Sequence, residues 1–449
     1  MRIAFTNRWV AGPQCLTVVH TLSATTAQPH SRLLALLHHY RASNATTGPQ
    51  SGPTGTSTVS IQHLPKPGTP ILSETFSISR KLADIDATQW NRLVGRHPLV
   101  RHEFLVALDE TGCAVAKTGW APHYLLLHRD GQLAAAMPLY LKSHSRGEYV
   151  FDSGWARAFM QHGLEYYPKL LDAIPFTPVP GPRLLARTHE DRVKLARHAI
   201  ELTDQNQLSS LHILFPTDED CAALREAGFM FRENVQFHWH NQGYADLDEY
   251  LSGMNQQKRK KLRQDQKKVQ RAGVTFRWLQ GDEIDATALA FFYECYCRTY
   301  YEHGNAPYLN MEFFNCLRQT MTDTMVLVVA EQKEEPVACA LNLRGADRLY
   351  GRYWGCTRFI SGLHFETCYM QAIEFCIRHG LAAFEGGAQG EHKLSRGMLP
   401  VKTYSAHWIR DKRYAQAIAD FLEQETSAVD NYVEVLEEHS PFKAMRPES

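Results

Sequence analysis

Residues 324–354 read TMVLVVAEQKEEPVACALNLRGADRLYGRYW. Three short apolar runs, 324–331, 337–343 and 348–354, are separated by turn-forming residues at 332–336 and by Gly345-Ala346-Asp347. Runs of this length, rich in Val and bounded by such punctuation, predict a three-stranded antiparallel meander. Downstream, Phe365, Tyr369, Ala372 and Cys376 repeat at helical spacing, so 364–379 is expected to be a helix. Gly380 ends it, 381–385 is a strand, 403–409 another, and 413–438 an amphipathic helix. Upstream, 248–271 and 286–301 are expected helices.

The first half follows the same plan. Residues 86–109 read as helical, with Trp90, Leu93, Val94, Phe104, Leu105 and Leu108 as the apolar set. A strand at 123–128, an Asp130-Gly131 turn and a strand at 132–141 form a hairpin, which 149–151 continues. Then come a helical stretch at 166–173, a helix at 191–205, a strand at 208–215, a helix at 218–227 stopped by Gly228, and a closing strand at 229–238. Two similar orders in one chain predict an internal duplication: an α+β fold with domains at 76–240 and 241–449, the second ending in a C-terminal helix. Meander followed by strand, helix and strand is the order used by acyl-CoA-type N-acyltransferases, the GNAT-like fold, an analogy of fold alone.

The chain has 449 residues, 48 basic and 48 acidic side chains, and 44% hydrophobic residues. That length needs more than one core. A balanced charge excludes a protein that is basic all over, and no apolar stretch is long enough to span a bilayer. Glu74 is the first acidic residue. The Thr-, Ser-, Pro- and Gly-rich segment 1–75 is expected to be a disordered or mis-started extension, with a targeting peptide as the rival reading. The ten cysteines show no paired zinc spacing and no disulfide framework, which points to a reducing cytoplasm and no metal site.

The densest polar motif is FEGGAQGEHK at 384–393, ending at Arg396-Gly397. Its glycines let backbone approach a ligand, and Glu391, His392 and Lys393 offer acid, base and fixed charge side by side. Glu366, near a helix start yet beside apolar positions, is a second candidate acid or base. Catalytic candidates are therefore Glu366, Glu391 and His392. Arg352 and Gly355, in Arg-Tyr-Trp-Gly-Cys-Thr, stand where acyl-CoA transferases hold a pyrophosphate on backbone N–H groups. With Gly387, Gln389, Gly390, Lys393 and Arg396 they form the cofactor-binding set. Substrate contacts are assigned to Lys142, His144, Asp152, Lys169 and Arg183 in an aromatic, proline-rich part of the first half, and to His364 and Glu385 in the second. The basic run Lys258–Arg271 has its own apolar stripe and no interleaved aromatic residue, so it reads as a solvated helix face rather than an RNA platform.

Four strings together resemble the FemAB-like family of predicted N-acyltransferases, peptidoglycan biosynthesis/recognition proteins of the GNAT superfamily. They are MPLYLKSHSRGEYVFD (137–152), YYPKLLDAIPFTPVPGPRLL (166–185), LHFETCYMQAIEFCIRHGLAAFEGGAQGEHKLSRG (363–397) and SAHWI (405–409). The resemblance covers the chain from about Phe76 onward. It implies tandem GNAT-like domains and metal-free transfer of an acyl or aminoacyl group to an amine, with acyl-CoA or aminoacyl-tRNA as co-substrate and no permanently bound cofactor. A cell-wall peptide precursor is the implied acceptor. The alternative is a non-catalytic glycan- or peptide-binding protein on the same fold.

Overall fold

The computed structural model describes residues 73–388 and 390–443. Strands in the first half are β1 (Glu74–Ser79), β2 (Trp120–Pro122), β3 (Tyr124–Arg129), β4 (Gln132–Met137), β5 (Leu139–Lys142), β6 (Lys169–Asp172), β7 (Leu185–Ala186), β8 (Ser210–Leu214) and β9 (Met230–His240). Those of the second are β10 (Val274–Gln280), β11 (Met325–Gln332), β12 (Glu335–Arg344), β13 (Arg348–Cys356), β14 (Ala383–Glu385) and β15 (Leu399–Ile409). The predicted meander is β11–β12–β13, paired antiparallel throughout. Val326 to Val329 are all buried, because this sheet is covered on both faces and so needs no polar alternation.

The duplication is visible in the connections. Parallel β6 and β8 are joined through the helix His189–Gln205, which Thr188 caps by accepting the Asp191 N–H. Parallel β13 and β14 are joined through a helix over 363–378. After each parallel pair the chain makes a short helix and a long closing strand, β9 or β15. Each closing strand crosses to the other half. β9 pairs with β14, β15 pairs with β8, and β9 and β15 pair with each other. One sheet of eleven strands results, in the order β10-β11-β12-β13-β14-β9-β15-β8-β6-β5-β2. The expected division at 240/241 thus follows a first-half strand that lies within the second half's sheet. A second sheet, β1-β3-β4-β7, flanks the first half.

A core also joins the halves: Phe104 meets Phe313 edge-on at 5.5 Å, and Asn310 Nδ2 donates to the Thr111 carbonyl at 2.7 Å. The basic helix Gln256–Arg271 turns Leu262 and Val269 inward.

Several sequence expectations are corrected. The helix expected over 86–109 is two, Ala87–Val94 and His102–Glu110, because Pro98 forces a turn between them. The second hairpin strand breaks at Pro138, which has no N–H for the ladder, and there the chain passes from the small sheet to the large one. Residues 149–151 are not strand; Tyr149 turns at φ 62°. The helix expected at 166–173 is strand β6. The helix expected over 248–271 is two, Leu247–Ser252 and Gln256–Arg271. Strand β10 and helix Met311–Thr320 were not anticipated. Of the extension expected over 1–75, residues 1–72 lie outside the described residues, while Glu74 and Thr75 belong to strand β1, which pairs with β3.

Candidate functional site

β13 and β14 pair over three residues only, from Arg348↔Ala383 to Tyr350↔Glu385. β13 then continues to Cys356, while the other chain enters the glycine-rich loop. Two candidates of the second half, His364 and His392, face each other across this divergence. The His364 ring lies 4.8 Å from the Trp354 ring of β13 and 6.5 Å from the His392 ring of the loop. His392 Nε2 is 3.1 Å from the Tyr369 hydroxyl. The Tyr369 ring packs in the core of the second half, while its hydroxyl reaches the loop.

The loop is held from beneath. Buried Lys393 donates from Nζ to the Gly387 carbonyl at 2.7 Å. Arg396 donates to the His392 carbonyl and lays its guanidinium 3.5 Å over the Phe365 ring. Gly387 and Gly390 take φ of 86° and 118°, values that disfavour any residue with a Cβ. Burial, then Arg396 and Lys393, lower the His392 imidazole to about 4. Burial, with help from His392, lowers His364 to about 4. Burial also lowers the Lys393 ammonium to about 7. At neutral pH both imidazoles are therefore uncharged, with one ring nitrogen each left as an acceptor, and they are weaker bases than an ordinary imidazole.

Other candidates are placed elsewhere. Exposed Glu391 accepts from the Tyr432 hydroxyl at 2.7 Å, on the long C-terminal helix. Buried Glu366 accepts from Gln371 Nε2 at 3.2 Å and opens into a separate cavity. Buried Glu385 takes Arg348 on one oxygen at 2.8 Å; the other has no partner among the described residues, and burial raises the carboxyl to about 7. Gln389 lies outside the described residues.

Arg352 and Gly355, the expected pyrophosphate contacts, both have packing partners within the protein. Arg352 reaches into the first half, donating to the Phe176 carbonyl at 2.8 Å and to Thr177 Oγ1 at 2.9 Å. A Cβ on Gly355 would lie 1.9 Å from the Cys295 carbonyl oxygen, so the glycine lets helix Ala286–Glu302 approach the strand.

Two of the first-half candidates, Lys169 and Asp152, form a buried charge network with Glu148. Lys169 Nζ donates to Glu148 at 2.7 Å, to Ser145 at 2.8 Å and to Asp152. Burial works against ionised Asp152, but Lys169 outweighs it and holds the carboxyl well below its usual range. Burial raises Glu148 to about 7. The Tyr166 hydroxyl donates to Asp152 at 2.7 Å and meets His212 Nε2 at 3.1 Å; His212 Nδ1 lies 2.7 Å from His407 Nδ1 across the β8–β15 pair. Lys142 points its buried ammonium at the Trp120 ring, 3.6 Å from the centroid, and burial lowers it to about 6. His144 packs on Gly119 and accepts from the Arg146 N–H. Arg183 is wholly buried, donating to the carbonyls of Leu214, Pro182 and Val179. Its expected contact with substrate gives way to bracing the 175–182 loop. Glu148, His212 and His407 were missed, although Ser210-x-His212 and Ser405-x-His407 carry one shared pattern.

A family model described as peptidoglycan biosynthesis/recognition, FemAB-like, matches residues 81–444. The chain belongs to the FemAB-like family. Solved structures with likeness to this FemAB-like protein include three of low identity. One is the C-terminal domain of a putative lysylphosphatidylglycerol synthetase from Agrobacterium fabrum, 10% identical over 76% of this chain and 96% of that one, TM-score 0.49. Another is FemX, 12% identical over 75% and 98%, TM-score 0.48. The third is a tandem GNAT protein from the clavulanic acid biosynthesis pathway, 13% identical over 75% and 98%, TM-score 0.39. No curated protein matches the sequence. Among the described residues of the FemAB-like chain, no helix is long and apolar enough to cross a membrane, and no group of His, Cys, Asp and Glu is arranged to hold a metal ion.

Proposed function

We propose that this FemAB-like protein is an N-acyltransferase, moving an acyl or aminoacyl group from a thioester or ester donor to an amine in the gap between β13 and the loop after β14. The observation that carries the reading is the gathering of His364, Tyr369 and His392 across the point where the two parallel strands part. The donor is acyl-CoA or aminoacyl-tRNA, and family membership supports an amine of a cell-wall peptide precursor as acceptor.

In the proposed step the amine nitrogen attacks the donor carbonyl. A C–N bond forms, the C–S or C–O bond breaks, and the nitrogen loses a proton. His392 accepts it: with Nε2–H donating to the Tyr369 hydroxyl oxygen, Nδ1 is left as acceptor, and the proton passes on to the departing thiolate or alkoxide. Backbone N–H groups of the glycine-rich loop, braced by Lys393 and Arg396, stabilise the oxyanion. Holding donor and amine together supplies effective molarities of up to ~10⁵–10⁸ M, the larger share of the acceleration.

The test is turnover by the full chain with acetyl-CoA, longer acyl-CoAs and aminoacyl-tRNA against a panel of amines and cell-wall peptides. His392→Ala is expected to lower kcat by roughly 10²–10⁴-fold, the usual worth of a general base. Tyr369→Phe should cost less. Saturable precursor binding with no turnover from any donor would replace this reading with that of a binding protein.

A further inference from the structure

Glu366 stood out in the sequence, and the transfer site does not use it. Its carboxylate opens into a cavity of about 570 Å³ whose lining shares no residue with the His364–His392 cluster. The walls are Gln266 and Val269 from helix Gln256–Arg271, Phe276 and Trp278 from the edge strand β10, and Glu366 and Gln371 from helix 363–378. That volume is typical of small-ligand pockets, and the lining sets apolar and aromatic side chains, Val269, Phe276 and Trp278 among them, beside a larger set of polar ones that includes Gln270, Thr275, Glu374 and Arg378.

The polar groups are ordered in a chain. Trp278 Nε1 donates to Gln371 Oε1 at 3.1 Å, and Gln371 Nε2 donates to Glu366 Oε1 at 3.2 Å, so the amide holds both the indole and the carboxylate in place. Glu366 also begins the π-helical turn Glu366–Met370, a local widening of the helix that is frequent at functional sites. The cavity's other carboxylate, Glu374, is neutralised by Arg378. Glu366 has no cationic partner among the described residues, and burial raises its carboxyl. A buried acid flanked by amides and without a counter-charge is pushed toward its neutral form, and a ligand that brings a cation favours the ionised one. The face of Trp278 already receives a cation, the Arg378 guanidinium at 5.1 Å.

We propose that this cavity binds a small organic cation, a primary ammonium or guanidinium on a flat or apolar body, with the charged group on Glu366 and the body against Trp278 and Phe276. The site is separate from the transfer gap and stands whether or not transfer occurs there.

The experiment is a titration of the full-length protein with benzylamine and tryptamine, followed through the indole N–H resonances by NMR. Trp278→Phe assigns the Trp278 signal, and benzyl alcohol and benzoate serve as neutral and anionic matches for benzylamine. Saturable displacement of the Trp278 signal by the amines is expected, with affinity at least tenfold weaker for benzyl alcohol and benzoate. Glu366→Gln, which keeps the shape of the side chain, is expected to weaken amine binding at least tenfold and leave benzyl alcohol unchanged. Equal binding of benzylamine, benzyl alcohol and benzoate by the wild-type chain overturns the proposal, as does unchanged amine affinity in Glu366→Gln or no movement of the Trp278 signal with either amine.

Discussion

Gly390 and His392 act as one unit. A Cβ at 390 would lie 2.3 Å from His392 Cε1 and 2.7 Å from Nδ1, and the backbone there already sits at φ 118°. Gly390→Ala is expected to push the imidazole off Tyr369, lowering turnover nearly as far as His392→Ala, and to cost roughly 1–3 kcal/mol of stability from the strained backbone. Kinetics alongside thermal melts check this; wild-type turnover in the alanine variant would sink it. Lys169 behaves differently, because removing it strands two carboxylates rather than disturbing one ring. Lys169→Met is expected to destabilise by about 3–5 kcal/mol in a denaturant melt, the usual cost of breaking a buried pair from one side. Glu385 predicts a pH effect. Burial raises its folded carboxyl from 4.5 to about 7, so its stabilising contribution is full below about pH 4.5 and is lost as pH rises through 7. Relative to the wild type, Glu385→Gln should therefore gain stability between about pH 4 and pH 8, by up to about 3 kcal/mol. A difference between the two melts that does not change with pH would contradict this.

At the scale of elements, Gly355 is the point where helix Ala286–Glu302 presses closest on β13. Gly355→Ala puts a methyl 1.9 Å from a backbone carbonyl that has no soft way to retreat. A loss of several kcal/mol is expected, more than the ordinary ~1–3 kcal/mol of overpacking, because backbone rather than a side chain must shift. Equal melting temperatures would contradict it. The elements also show what was readable beforehand. Long periodic segments, such as the meander 324–354 and the crossover helices, announced themselves through spacing. The run Tyr166–Ala173 did not: Leu170 and Leu171 are buried in β6, but so few apolar residues suit a helix and a buried strand alike, and the pairing with β8 decides. Among candidate site residues, His392 and Lys393 stood out because polar chemistry crowds into a glycine-rich loop, and the structure sets His392 beside Tyr369 and His364. An arginine before a glycine can face a phosphate or a carbonyl equally well, and that Arg352 meets the Phe176 carbonyl of the other half was not readable from its neighbours in sequence. Glu148, His212 and His407 escaped because their partners lie far away in the chain.

Across the whole molecule, the duplication was readable from the repeated order of elements, but the exchange of closing strands was not. Periodicity marks residues as strand without saying which neighbour they join. The exchange makes a clear prediction. A fragment covering 73–243 carries β9 without β14 and leaves β8 without β15, while 244–449 has the complementary gaps. Neither fragment alone should show a cooperative melt, and co-expression should restore a complex. A stable, cooperatively folding single fragment would refute this.

The same exchange governs how the gap between β13 and the glycine-rich loop is reached. Where two lobes meet at a linker, they swing apart like jaws around it. Here β9 and β15 run side by side through the middle of one hydrogen-bonded sheet, and β15 pairs on its other side with β8, where His407 faces His212. Swinging the lobes would mean tearing ladder bonds along the full width of both strands. The shared sheet is therefore a rigid chassis whose aperture is set on folding, and under the proposed transfer the passage of donor, acceptor and product falls to side chains and to the loop that carries His392.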